Sequence, residues 1–319
     1  MKNRLAVFAA LCGLFALLAA TPRAVAGCRE GLALCVELIL PSLFPFFVLS
    51  ALLGKLGLPL TLGRLLAPAA RRLFRVSGAG ATAFFMGLLG GYPLGAAYIA
   101  ELVESGAVSP AEAGRLLAFC NNSGPAFFIG VLGTGVFGSV RYGLLLYAAH
   151  AAAALLTGLL LRARGNDAAE AMPEPAPPLP FSKALAEAVR QAVSALLGVC
   201  GFVVCFAVFT GLLEEWGLLS LAAGLLAELS GQPLAWCRAL LTGFFELGGG
   251  VGALRGLPPS PANLALAAAM MGWGGLSVHF QSLSLLADLP VDSRPHTLGR
   301  LLSAALSCAA VLVLSHFIN

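Results

Sequence analysis

Charged side chains are scarce in this sequence. Only 11% of the 319 residues are Asp, Glu, Lys or Arg, and 59% are hydrophobic, whereas soluble domains carry about 25% charged residues. The charges also lie mostly at the ends of uncharged stretches, which cover 5–22, 38–54, 76–100, 116–140, 142–161, 191–213, 256–287 and 301–319. Most of these reach the roughly 17–25 residues that cross a bilayer as a helix. The sequence therefore predicts an all-α polytopic membrane protein.

Motifs of enzymes and metal sites are also missing. There is no HExxH pair, no Walker loop, and no CxxC pair among the eight cysteines. The net charge of +4 does not indicate a nucleic-acid partner, because the bases lie beside apolar segments, as in membrane proteins. We expect no enzyme, cofactor or metal. The enzymatic alternative is an intramembrane serine protease using Ser123 with His150 or His279, but Asn121 stands where such a site has glycine.

A proline-rich stretch divides the chain into two halves. Five prolines between 173 and 180, with several charges, are typical of a flexible linker. We predict that 1–26 forms a first transmembrane helix with features of a signal peptide. The rest is predicted to form a first repeat at 27–161, a cytoplasmic linker at 162–183 and a second repeat at 184–319.

The two halves contain similar motifs in the same order. Ser109-Pro110 begins a segment that reaches Asn-Asn-Ser-Gly at 121–124, and Ser260-Pro261 begins one that reaches Gly-Trp-Gly-Gly at 272–275. The offset is 151 residues at both ends. Glycine-rich motifs precede these segments, at 90–96 and 248–253. The repeated order predicts two related halves.

Charge predicts that the two halves have opposite orientations. The loop at 55–75 has five bases and no acid, whereas its counterpart at 214–238 has one base and three acids. The positive-inside rule then places 55–75 and the linker in the cytoplasm and 214–238 on the opposite side, as in transporters built from inverted repeats. An even number of crossings must separate 55–75 from the linker. We therefore predict that 76–100, interrupted by Gly90, Gly91 and Pro93, is re-entrant.

Breaks in the membrane helices form the candidate solute site. Backbone groups exposed at a break must bond to protein, water or a solute, and helix N-termini there favour anionic groups. We predict proton or ion coupling at Glu246, which lies between an apolar run and glycines. The alternatives are kinked packing helices and, for Glu246, a residue at the membrane edge. The predicted solute-binding residues are Gly91, Tyr92, Pro93, Gly95, Asn121, Asn122, Ser123, Ser277, His279 and Gln281.

Five stretches together carry a resemblance to a known family. They are LPSLFPFF at 40–47, GYPLGA at 91–96, FCNNSGP at 119–125, GFFE at 243–246 and GLSVH at 275–279. In these stretches the chain resembles the sporulation integral membrane protein family called YlbJ or SpoVV, which carries the nucleoside-recognition Gate domain. The resemblance implies a fold similar to the core of concentrative nucleoside transporters, with re-entrant hairpins.

The resemblance and the residue patterns predict the same kind of protein. We expect a secondary transporter of a small polar or anionic solute, by resemblance dipicolinate, exported across the outer forespore membrane during sporulation. A nucleoside-like solute, or a non-transporting scaffold for sporulation, remains as an alternative. The expected partners are the solute and the lipid bilayer, with no nucleic acid, and a homo-oligomer stays open.

Overall fold

The computed structural model describes residues 2–162 and 179–315, and these ranges contain helices, turns and irregular segments but no strand. Residues 163–178, most of the predicted linker at 162–183, lie outside the described residues. Two π-helical segments cover Cys35–Ile39 and Ala126–Val136. The α-helices are α1 (Lys2–Ala19), α2 (Thr21–Leu34), α3 (Leu40–Lys55), α4 (Leu58–Leu73), α5 (Gly78–Gly90), α6 (Leu94–Glu104), α7 (Pro110–Cys120), α8 (Val140–Leu160), α9 (Phe181–Glu215), α10 (Leu218–Ser230), α11 (Leu234–Phe245), α12 (Leu247–Gly252), α13 (Pro261–Trp273), α14 (Gly275–Ser284) and α15 (Arg294–Ser315).

Four helices in the described residues are long and apolar enough to cross a bilayer. They are Thr21–Lys55, Val140–Leu160, Phe181–Glu215 and Arg294–Ser315. A fifth span is possible if Thr61–Leu73 and Gly78–Gly90, which are bent by 101° at their junction, are counted as one. The prediction of an all-helical, multi-pass membrane protein is confirmed.

Both segments that we predicted as charged loops, 55–75 and 214–238, are largely helical, so that prediction was wrong. Helix α4 occupies most of the first segment, and α10 occupies the centre of the second. Gly57 and Gly217 adopt positive φ angles of 87° and 71°, which let the chain turn out of one helix and into the next. The charges of these segments indicated a position at the surface. They could not distinguish a loop from an amphipathic helix, because both can carry the same charged residues.

Three of the uncharged stretches are interrupted. The stretch at 76–100 is broken between Gly90 and Leu94, at the position predicted from its glycines and proline. The stretch at 116–140 is broken at 121–125, and 256–287 is broken at Gly274. These three breaks, and another at Glu246, divide the chain into the short helices α5–α7 and α11–α14, which lie between longer helices in the sequence.

The long helix formed by α2 and α3 packs antiparallel to α9. A Cβ added to Gly27 would lie 3.0 Å from the Cα of Val208, and one added to Gly31 would lie 2.9 Å from the Cα of Val204. At the opposite end, Lys55 forms an ion pair of 3.5 Å with Glu187 of α9. The spacing of the two glycines permits this close backbone approach, as in Gly-x-x-x-Gly helix pairs.

Candidate functional site

The first break lies between α5 and α6. Gly91 has a φ of 79°, and Pro93 has no backbone N–H to continue the helix. A Cβ at Gly91 would lie 2.6 Å from the backbone nitrogen of Gly124, so the break at 91–93 touches the break at 121–125. Glycine is required at this contact because the two backbones meet without room for a side chain.

Three buried polar residues at the second break make different hydrogen bonds. The Asn121 amide donates to Ser282 Oγ at 2.7 Å, and the Asn122 amide donates to the carbonyl of Phe119 at 2.6 Å. The backbone N–H of Ser123 donates to Nε2 of His150 at 3.3 Å. The imidazole therefore binds the backbone of Ser123, which is a helix-break contact rather than the Oγ-to-imidazole contact of a serine nucleophile.

The third break centres on Glu246, between α11 and α12. The side chain is only 2% exposed, so it lies inside the protein rather than on its surface. Its carboxylate accepts hydrogen bonds from the backbone N–H of Gly248, at 2.8 Å, and of Gly249. The carboxylate thus caps the short helix that follows it, as acidic N-cap residues do.

The fourth break separates α13 from α14. Gly274 and Gly275 both adopt positive φ angles, of 87° and 77°. Nδ1 of His279 lies 2.9 Å from the carbonyl oxygen of Gly275, and its ring packs on Trp273 with 4.1 Å between centroids. Ser277 and Gln281 lie on the same short helix and are also buried.

Residues of all four breaks line one interior cavity. The cavity has a volume of about 50 Å³, which holds a few water molecules at most and is well below the roughly 300–1,000 Å³ of typical small-molecule sites. Six of the eleven residues predicted for solute or ion binding form part of this wall: Gly91, Tyr92, Ser123, Glu246, Ser277 and Gln281. The remainder of the wall is largely apolar, contributed by α3, α9 and the π-helical segments.

The other five predicted residues lie behind the cavity wall. Gly95 packs against the second break, where an added Cβ would lie 2.7 Å from the carbonyl oxygen of Cys120. Pro93 lines a separate cavity between α6 and α9. Asn121, Asn122 and His279 are buried in the contacts described above, which hold the breaks in place.

A buried arginine that sequence reasoning missed lies beside the first two breaks. Arg300 of α15 is completely buried, and its guanidinium donates to Tyr92 Oη at 2.7 Å, to the carbonyl of Ala118 at 3.1 Å and to Asn122 Oδ1 at 3.4 Å. Within the described part of the chain, no carboxylate forms an ion pair with it. Arg300 immediately precedes the uncharged stretch 301–319, so the sequence suggested only a charge at a helix end.

A second, more open cavity reaches Glu246 from another side. It has a volume of about 500 Å³ and lies among α2, α9, α10, α11 and α12. Two ion pairs line it, one between Arg23 and Glu30 at 2.7 Å and one between Arg238 and Glu214. Glu246 belongs to the walls of both cavities. We call this second cavity the vestibule.

Comparisons with known proteins give one informative match. No protein-family model and no solved structure matches the chain. The sporulation integral membrane protein YlbJ of Bacillus subtilis (strain 168) is 32% identical over 310 residues, covering 90% of this chain and 76% of the relative. An alignment over 90% of the chain covers both halves and the positions of all four breaks. The chain belongs to the family of the sporulation integral membrane protein YlbJ.

Proposed function

We propose that this protein is a secondary transporter of a small polar or anionic solute. By family resemblance the solute is dipicolinate, and the setting is the outer forespore membrane during sporulation. The observation that carries the proposal is the cavity where four helix breaks from both halves of the chain converge. In a membrane protein the backbone groups exposed at such breaks need hydrogen-bond partners, which come from other protein groups, from water in a cavity or from a solute.

We infer that the two halves are structural repeats, because the same elements follow in the same order. Helix α3 leads through Gly57 to α4, and α9 leads through Gly217 to α10. Each half then has a helix, a break, a short helix and a Ser-Pro start. Ser109 Oγ accepts from the N–H of Glu112 at 3.2 Å, and Ser260 Oγ accepts from the N–H of Asn263 at 3.3 Å. A further break, an apolar segment and a spanning helix complete each half.

The packing of α3 against α9 supports an inverted relationship between these repeats. The two helices hold corresponding places in the order of elements, and they run antiparallel. A pair of equivalent helices with opposite directions is what an inverted repeat requires. The resemblance to the core of concentrative nucleoside transporters is part of the same proposal.

The position of Glu246 supports a role at the boundary between two parts of the solute pathway. Glu246 lines both the cavity at the helix breaks and the vestibule. A buried carboxylate in a membrane protein is costly, and such groups commonly mark ion or proton pathways. We infer that Glu246 couples solute movement to protonation or to a cation, and that the vestibule opens on the side opposite the linker.

Arg300 supports an anionic solute over a neutral one. Its charge lies directly behind Tyr92, whose ring forms part of the cavity wall, with 5.9 Å between the guanidinium carbon and the ring centroid. In a low-dielectric interior a positive charge without an ion-pair partner raises the potential on its own side of the neighbouring cavity, whereas the Glu246 carboxylate makes the potential near its own part of the wall negative. The carboxylates of dipicolinate fit this environment better than the neutral ring of a nucleoside.

Uptake into proteoliposomes tests the proposal. The purified protein is reconstituted and offered labelled dipicolinate, with labelled uridine as the neutral alternative. We expect saturable dipicolinate uptake that is reduced in Ser123→Ala and Gln281→Ala, whose side chains line the cavity, and unchanged in Ser307→Ala, a buried serine of α15 outside it.

Three results would contradict the proposal in different ways. Uptake of uridine but not dipicolinate would support the nucleoside-like alternative. Absence of uptake of both solutes by folded, correctly inserted protein would support a membrane scaffold. Equal uptake by all three variants would place the solute pathway outside this cavity.

A further inference from the structure

Helix α4 combines a basic surface with an apolar one. The segment from 56 to 76 contains four arginines and no acid. Arg64, Arg71 and Arg72 are exposed, and in the described residues none of their side chains forms a hydrogen bond or an ion pair. Arginines held on one exposed surface without acidic partners attract phosphate and other anions.

The direction of α4 suits a helix at the membrane surface. It is bent by 101° from α5 at the short connection between them. If α5 enters the bilayer along its normal, α4 runs nearly parallel to the bilayer plane. Amphipathic helices with basic polar faces take this position at the boundary between headgroups and acyl chains.

A groove lies beneath the apolar side of α4. It has a volume of about 210 Å³, and its walls come from α4, α5 and α8, with Leu66, Ala69 and Leu73 on the α4 side. Its inner end is closed by a cluster of Phe74, Phe84 and Phe119, whose ring centroids are 5.4–5.8 Å apart. Leu155 of α8 is 41% exposed at its rim, so the groove opens on the outer surface of the helix bundle.

We propose that this groove and the arginines of α4 form a binding site for one anionic phospholipid, with an acyl chain in the groove and the phosphate on Arg71 and Arg72. Both parts of the site lie on one helix, since Leu73 and Phe74 of the groove directly follow these two arginines in the chain. The groove is lined by hydrocarbon side chains and excludes a polar solute. A lipid with net negative charge is favoured over a zwitterionic one by the uncompensated arginines.

Lipid binding to the purified full-length protein tests the site directly. Delipidated protein in detergent is titrated with phosphatidylglycerol or with phosphatidylcholine of identical acyl chains, and bound lipid is counted by native mass spectrometry. We expect one phosphatidylglycerol to bind more tightly than phosphatidylcholine. The triple variant Arg64→Gln/Arg71→Gln/Arg72→Gln should weaken phosphatidylglycerol binding by roughly a hundredfold, at about fivefold per arginine.

The control variant removes equal charge elsewhere. Arg141→Gln/Arg190→Gln/Arg255→Gln replaces three exposed arginines outside α4 and should retain the preference for phosphatidylglycerol. Ala69→Phe fills the groove and should reduce binding of both lipids. Ala222→Phe, at an exposed position of α10, should not. Because Ala69→Phe keeps every arginine, it tests the groove even if the triple variant does not fold.

The proposal fails if the two lipids bind equally, if the α4 triple variant keeps the preference, or if Ala69→Phe binds both lipids like the unmodified protein. Competition by glycerol phosphate at the same concentration as phosphatidylglycerol would show a phosphate site without an acyl-chain site, and would also overturn it. Dimer formation that disappears in Ala69→Phe would identify a second copy as the occupant. None of these results depends on solute transport.

Discussion

The hydroxyl of Tyr92 accepts a hydrogen bond of 2.7 Å from the buried guanidinium of Arg300. The two residues lie 208 positions apart, one at the first helix break and the other in the last helix. The same hydroxyl donates to the carbonyl of Met271 at 3.3 Å. The Tyr92 phenol therefore connects the break at 91–93 to two helices of the second half. Through the same hydrogen bond the buried charge of Arg300 lies next to the cavity wall.

We predict that Arg300→Gln raises the half-saturating concentration of dipicolinate by about ten- to a hundredfold. Arg300 does not contact the cavity, so its charge acts on the solute through space; at about 8 Å and an effective dielectric constant of about 20 this contributes about 2 kcal/mol, or between one and two decades in affinity. Arg300→Lys should recover part of the loss, since it keeps the charge but not the planar donor geometry. Uptake is measured in proteoliposomes against the neutral diamide of the same pyridine ring.

The ratio of dipicolinate uptake to diamide uptake distinguishes an electrostatic effect of Arg300 from a structural one. A purely structural Arg300 would change uptake of the acid and the diamide equally, and that outcome would remove its role in anion preference. Arg255→Gln, an exposed arginine, serves as the control and should leave both unchanged.

We predict that Glu246→Gln flattens the pH dependence of uptake. Glutamine keeps the shape of the side chain, and its carbonyl oxygen can still accept an N–H bond from Gly248 or Gly249, but it cannot change its charge. Uptake rates are compared between pH 5 and 8. Glu112→Gln replaces another fully buried glutamate, which accepts from the N–H of Ser77 at 2.6 Å away from the cavity, and should keep the profile. An unchanged rate and profile in Glu246→Gln would show that Glu246 only caps α12.

We predict that Asn121 and Ser282 are energetically coupled. Their side-chain hydrogen bond of 2.7 Å joins the two halves in a buried setting. In a double-mutant cycle of Asn121→Ala and Ser282→Ala, the coupling should be about 0.5–1.5 kcal/mol. It is measured by thermal unfolding in detergent. The pair Asn121→Ala and Ser307→Ala should be additive, and additivity in the first pair would mean that this bond does not hold the breaks together.

We predict that positions 72 and 228 lie on opposite sides of the membrane. Arg72 lies in α4 and Glu228 in α10, the elements that correspond in the proposed repeats. The eight native cysteines are all free, so single cysteines at 72 and 228 must be introduced after their replacement. An impermeant maleimide added to intact vesicles should label only one of the two. Labelling of both from the same side would end the inverted-repeat proposal.

The helical class and the positions of the breaks could be read from the sequence, because both are local properties. A long uncharged stretch favours helical structure in a membrane wherever it lies in the chain, and Gly91 with Pro93 interrupts a helix through its own backbone geometry. Local patterns could not show that α4 and α10 are helices, since a short amphipathic helix and a basic or acidic loop have similar charge counts.

Which residues form the site depends on contacts between residues that are far apart in the sequence. Asn121 and Ser123 are two positions apart and both are polar, yet one bonds to Ser282 and the other lines the cavity. Nothing in their immediate sequence separates these environments. His150 was considered only as a partner of the Ser123 hydroxyl, whereas its ring binds the Ser123 backbone.

The sequence by itself determined that this chain is a membrane protein, that its helices are broken at fixed points, and which family it belongs to, because hydrophobic length and backbone chemistry act over a few residues. Only the tertiary structure decided that the four breaks share one cavity and that Arg300 lies buried behind Tyr92. Those features depend on how helices from opposite ends of the chain pack together. An arginine at the end of an apolar stretch is ordinarily solvated, and its burial becomes visible only when α15 is placed against α7 and α13.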